Sequence, residues 1–113
     1  MTKLLLTLAA ACMVANFAKA GTEFVVKGSA GDMGLLACVT HEQWLALDTV
    51  YKDEGLSGYV DARDVILDQM VDLMPGTVVW VDRVYRDGSA LIRVRGSSSF
   101  LWIDFPNSLL VPK

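Results

Sequence analysis

Histidine, cysteine and basic residues are all in short supply in this chain, and each shortage closes off a class of function. Its 113 residues include 1 His and 2 Cys. Cys12 lies in an apolar N-terminal run, so from residue 21 onward Cys38 is the only thiol and no internal disulfide can staple the domain. Cys38 and His41 are two of the four ligands a zinc site needs, and no second pair of such residues exists, so no metal and no cofactor is expected. Residues 21–113 carry 8 basic against 13 acidic side chains, a balance that would repel phosphate backbones and argues against a nucleic-acid partner. Gly28 to Gly31 is followed by neither the Lys nor the Ser/Thr of a phosphate-binding loop. A paired-carboxylate glycosidase is a poor fit to so short a chain with no cleft motif.

The N-terminus, by contrast, is rich in one signal. Met1-Thr2-Lys3 is a short basic start, Leu4 to Phe17 is a nearly unbroken apolar run, and Ala18-Lys19-Ala20 is a small-x-small cleavage pattern. Together these read as a secretory signal peptide over residues 1–20, cleaved between Ala20 and Gly21, which places the remainder in the periplasm or outside the cell. The run of 14 residues is short of the roughly 20 that a helix needs to cross a bilayer, so no stable membrane anchor is expected after cleavage. Ala9-Ala10-Ala11-Cys12 is a weak lipidation signal: it lacks the usual Leu, and the apolar run continues past Cys12.

Residues 21–113 suffice for one domain and are too few for two. Glu23 to Lys27 and Gly34 to Val39 have the composition of strands, separated by a turn cluster from Gly28 to Asp32. Thr40 and Gln43 then form a capping-box pair, and Trp44, Leu47, Val50 and Tyr51 follow at helical spacing up to a C-cap at Gly55. A second helix is predicted from Asp61 to Met74, with Ala62, Ile66, Met70 and Leu73 on one face, joined by Val65 and Met74, and Pro75-Gly76 as its stop. The short link Gly55 to Tyr59 makes the pair a helical hairpin, an insertion over about residues 40–74. From Thr77 the period falls to two: strands are predicted over 77–85, 90–95 and 100–103, with a hairpin turn at Arg86 to Ser89. A 3₁₀ turn at Pro106 to Leu109 and a closing strand at Leu110-Val111 complete the chain.

Gly76-Thr-Val-Val-Trp-Val81, Asp87-Gly88, Ile92-Arg-Val-Arg95, Leu101-Trp-Ile103 and Leu109-Leu-Val-Pro112 resemble, in that order, the pattern of bacterial SH3-like domains. Ser97 to Leu101 stands where those domains carry a Gly before the Trp, and no helical hairpin is part of the pattern. The resemblance implies a mainly β fold with an α insertion: a small SH3-like β-barrel made of two N-terminal and three or four C-terminal strands, following a cleaved signal peptide.

The resemblance and the composition lead to one functional expectation, a non-enzymatic exported binding module that recognises an envelope protein, a peptide or a cell-wall component such as peptidoglycan. Its expected surface is the aromatic and basic side of the C-terminal strands: Tyr85, Phe100, Trp102, Phe105, Arg93 and Arg95, with Tyr85 and Phe105 exposed and Trp80 in the core. The acidic segment Glu42 to Asp72, with 8 acidic and 2 basic residues, is either a solvated helix surface or a region that steers a basic partner. Asp61, Asp64, Asp68 and Asp72 would stack on one helix face. Two alternatives stay open. One is a small cysteine-dependent enzyme using Cys38 and His41, with the helix N-terminus lowering the thiol pKa. The other is an inhibitor or regulator of an envelope enzyme. The apolar run around Cys38 points to burial; exposed, the thiol would link two copies in a disulfide dimer.

Overall fold

The computed structural model describes residues 22–29 and 34–113. The proposed signal peptide and the Ala20–Gly21 cleavage point lie outside the described residues. Seven strands and one interrupted helix follow in the order β1 (Thr22–Val26), β2 (Leu35–Ala37), α1 (His41–Val65), β3 (Val71–Leu73), β4 (Val78–Val84), β5 (Ser89–Val94), β6 (Phe100–Asp104) and β7 (Leu110–Pro112). Five of the strands form an antiparallel sheet in the order β6-β5-β4-β1-β7, and β2 and β3 form a sheet of their own.

Alternation along the strands builds the core. Register pairs Phe24 with Val79, Val81 with Ile92, Ile92 with Leu101 and Ala90 with Ile103, so all of these side chains share one face. Leu35, Ala37 and Leu73 from the two-stranded sheet pack onto that face, joined by Phe105 and Leu110. Each large apolar side chain sealed there contributes roughly 1.5–3 kcal/mol. The opposite face carries the row Glu23, Trp80, Arg93 and Phe100, one residue from each of four neighbouring strands.

The predicted closed barrel is not what forms. β7 pairs only with β1, and beyond β5 the strand β6 gains a single bridge, between Cys38 and Trp102. Among the described residues the five-stranded sheet is open, with the two-stranded sheet stacked over its core face. Two short strands explain this: β2 and β3 have 3 residues each, and their pairing (Leu35 with Leu73, Ala37 with Val71) leaves them joined to each other instead of extending the main sheet. Gly34 is needed beside that ladder, because a Cβ there would lie 2.2 Å from the Leu73 carbonyl oxygen.

The first half of α1 follows the predicted cap. Thr40 Oγ1 accepts from the Gln43 backbone N–H at 3.1 Å, while Gln43 Oε1 accepts from Val39 N–H, one residue before the expected Thr40. Gly55, with φ 78° and ψ −165°, breaks the helix, a conformation costly for any residue with a Cβ. Helix resumes at Leu56, so the expected link is itself helical and the second segment ends at Val65, nine residues before the predicted Met74. A 3₁₀ turn at Leu67–Gln69 and strand β3 replace its remainder. Ala62, Ile66 and Met70 do pack inward as predicted, but Leu73 joins the sheet core, and Val65 and Met74 are exposed. The register is lost because Val71 to Leu73 pairs with β2, and tertiary pairing outweighs a local helical period. A single i→i+3 turn closes over residues 107–110, Leu110 N–H donating to Asn107 C=O at 3.0 Å, one residue later than the predicted Pro106 to Leu109. Among the described residues no helix is long and apolar enough to cross a membrane.

Candidate functional site

The six residues expected to form one binding surface are divided among three places. Phe105 belongs to the core, edge-on to Phe24 with ring centroids 5.7 Å apart, because it continues the inward parity of Leu101 and Ile103. Arg93, Arg95 and Phe100 lie on the outer sheet face, together with Trp80, which is half-buried there and not in the core. Phe100 is exposed, but both arginines are engaged. Arg93 Nε donates to Asp82 at 2.7 Å and its guanidinium lies 4.8 Å from the Trp80 ring centroid. Arg95 and Trp80 both donate to Glu23 Oε2, and these two hydrogen bonds hold the Glu23 carboxyl below its ordinary range. Arg93 and Arg95, already neutralised, have little left to offer an anionic partner.

Tyr85 and Trp102 fall in the third place, against the helix. Trp102 stacks on the His41 ring at 4.4 Å, and Tyr85 lies 5.4 Å from Trp102 and 6.0 Å from His41. His41 Nε2 donates to Asp87 Oδ2 at 2.9 Å, fastening the start of α1 to the β4–β5 turn. Burial pushes the Asp87 carboxyl up, but hydrogen bonds from the Ser89 side chain and backbone and from His41 outweigh it and hold the group below its ordinary value.

His41, Asp87 and Ser89 are the residue types of a hydrolase triad, yet the geometry is not that of a relay. One nitrogen, Nε2, faces both the carboxylate and the hydroxyl, Ser89 Oγ donates to Asp87 Oδ1, and Ser89 is 0% exposed. The Cys38 thiol is equally ill placed for attack: it is buried, and desolvation followed by the charge of Asp104 pushes its pKa up to about 11. His41 is held by Asp87, so the sequence-adjacent pair forms no activated nucleophile, and a thiol so buried is a poor partner for an intermolecular disulfide.

A concavity lies elsewhere, between the two segments of α1, β2, β6 and the turn before β7. Its volume is about 700 Å³, within the range of small-molecule and peptide sites. Trp44, Leu47, Tyr59 and Trp102 supply apolar and aromatic wall, and Asp48, Arg63 and Asp104 supply charge. Trp44 Nε1 donates to Asp104 Oδ1 at 2.7 Å and thereby ties the helix to β6. Asp104 keeps solvent contact on one side, but burial of its carboxyl raises the pKa, the Trp44 bond lowers it and the Asp48 charge raises it again, for a net rise. Desolvation, then the charge of Asp104, also raises the Tyr59 hydroxyl, with Arg63 opposing. Arg63 Nε is buried without a partner among the described residues, and its Nη2 reaches Asp64 at 3.4 Å.

Sequence reasoning missed Asp48, Tyr59, Arg63 and Asp104. The accessible clue was parity: Asp104 is two residues beyond Trp102 and so shares its face of β6, opposite the apolar Leu101, Ile103 and Phe105. Among the described residues no group of three or more His, Cys, Asp or Glu side chains is arranged to hold a metal ion. The four Asp residues expected on one helix face are split between α1, the 3₁₀ turn and β3. Comparison with protein-family models, with curated proteins and with solved structures finds no match to this chain, so the cleft itself carries the functional argument.

Proposed function

We propose that this protein is an exported, non-enzymatic binding module that recognises an envelope protein, a peptide or a cell-wall component in the cleft between α1 and the sheet. The observation that carries the reading is the cleft's make-up: about 700 Å³ of space with aromatic walls and charged groups in its lining, beside a sheet face whose Arg93 and Arg95 are paired. Its walls come from separate elements, so a ligand there touches helix, strand and turn at once. The best candidate nucleophile in the chain is held as a neutral thiol, which favours recognition over covalent chemistry.

The test is nuclear magnetic resonance of the ¹⁵N-labelled protein, as processed by the expressing cell, titrated with soluble peptidoglycan fragments and with a panel of defined peptides. Shifts should gather on Trp44, Leu47, Tyr59, Trp102 and Asp104, with the Trp44 indole N–H as the reporter beside Asp104. Shifts gathered on Arg93, Arg95 and Phe100 would move the site to the outer sheet face. No shift with either class of ligand would remove the binding reading.

A further inference from the structure

We propose that the cleft takes a primary ammonium group on an apolar stem, as in a lysine-type side chain, with the ammonium against Asp104 and the stem along Trp44, Leu47 and Tyr59. This rests on the cleft being the binding site, and it names the chemistry that the site selects.

Four observations converge on a cation. First, Asp104 has its Oδ1 occupied by the Trp44 N–H, and among the described residues no group pairs with its Oδ2. Second, the negative charge is concentrated on that side: Asp48 raises Asp104, and Asp104 in turn raises Cys38 and Tyr59. An arriving cation offsets the Asp48 and Asp104 carboxylates together. Lys52 bonds Asp48 at 2.9 Å, but its side chain is 67% exposed and it is not part of the cleft lining, so solvent screens its effect on Asp104. Third, aromatic side chains line the space, and ring faces attract ammonium groups more strongly where water is excluded. Fourth, the segment Glu42 to Asp72 that carries most of the hairpin holds 8 acidic and 2 basic residues, a field that draws cations toward this side.

Two further features narrow the class. Arg63 stands in the lining and opposes Asp104 at Tyr59, so a cation seats at the Asp104 side, and its stem must be apolar to run along Leu47 and Trp44. Ser108 and Tyr59 line the space and carry hydroxyl oxygens able to accept from a group with N–H donors, which suits a primary ammonium better than a quaternary one.

The test uses probes sharing one stem, read by the Trp44 indole N–H and the cleft amides: hexylammonium, hexyltrimethylammonium, hexanamide and hexanoate, with N-acetyl-lysine methylamide as the peptide form. Hexylammonium and the blocked lysine should bind, hexanamide should bind about tenfold more weakly, and hexanoate should not bind. Asp104→Asn, which keeps an oxygen for the Trp44 N–H, should cost about tenfold in ammonium affinity. Arg63→Met should tighten it about two- to fivefold by removing a like charge. Unchanged sheet resonances show that each variant is folded. The proposal falls if hexanoate binds more tightly than hexylammonium, if Arg63→Met abolishes binding, or if hexyltrimethylammonium binds more tightly than the primary amine. If hexanamide matches hexylammonium, or if only peptidoglycan fragments or uncharged peptides perturb the cleft, the ammonium assignment fails and the cleft stands. If nothing perturbs the cleft, both fail.

Discussion

On the inner face of the five-stranded sheet, Val79, Val81, Ala90 and Ile92 are each 0% exposed, whereas the cluster beneath α1 has, among the described residues, Cys38, Trp44 and Leu47 as its buried members. The first region is sealed by register: each strand places an apolar residue opposite another, and β2 and β3 close over them. The second is fastened at points. Trp44 to Asp104 and His41 to Asp87 hold α1 to the sheet, and Leu56 and Val65 stay 67% and 79% exposed. A layer held by a few polar contacts over an open cleft lies at the low end of local stability, where ligand-binding segments are drawn from. The difference assigns cohesion to the sheet and, on the function proposed above, recognition to the α1 side.

Breaking the sealed region should have the largest effect. Ile92→Ala removes a side chain that touches neighbours on both flanking strands, and it should cost about 2–5 kcal/mol of global stability, read as a fall in the urea midpoint at unchanged slope. Amide exchange should accelerate in sheet and helix alike, since losing the core removes the helix's platform; acceleration confined to β5 would mean the sheet core is not one cooperative unit.

The point contacts should behave differently. Trp44→Phe keeps an aromatic ring and loses the N–H that Asp104 accepts, so the cost should be about 1–3 kcal/mol. Hydrogen exchange in this variant should speed up through α1 while β4 and β5 keep their protection. Equal acceleration everywhere would erase the distinction between the two regions.

The smallest effect is expected at the turn. Asp87→Asn should cost about 0.5–1.5 kcal/mol at neutral pH, by weakening the His41 and Ser89 bonds. Because the folded carboxyl titrates below its ordinary value of 3.8, the wild-type advantage is fully present above that value and is lost as pH falls through the lower folded one. Urea midpoints of both proteins from pH 7 to pH 2 should therefore converge at the acid end. A constant gap would show that the carboxylate charge plays no part.

Local pattern carried much of the architecture. β1, β4, β5 and β6 were readable from alternation of Val, Ile and Leu with polar residues, the turn at Arg86 to Ser89 from its composition, and the helix start from Thr40 and Gln43. Even the break at Gly55 was visible, although the helix beyond it was placed too late. The candidate site was legible only in fragments. Tyr85 and Trp102 do face the helix, but Phe105 is inside, and Arg93 and Arg95 are neutralised by Asp82 and Glu23, the latter 72 residues away in sequence from Arg95.

Composition and periodicity by themselves determined that an acidic chain would build its core from alternating strands, with a capped helix beside them, because those properties depend on residues a few positions apart. Tertiary structure alone decided that Val71 to Leu73 is a strand, that the sheet stays open, and that Asp48, Tyr59, Arg63 and Asp104 share one cleft. Those outcomes depend on pairings across distances such as the 60 residues between Trp44 and Asp104, where competing partners differ by packing and desolvation that no local period records.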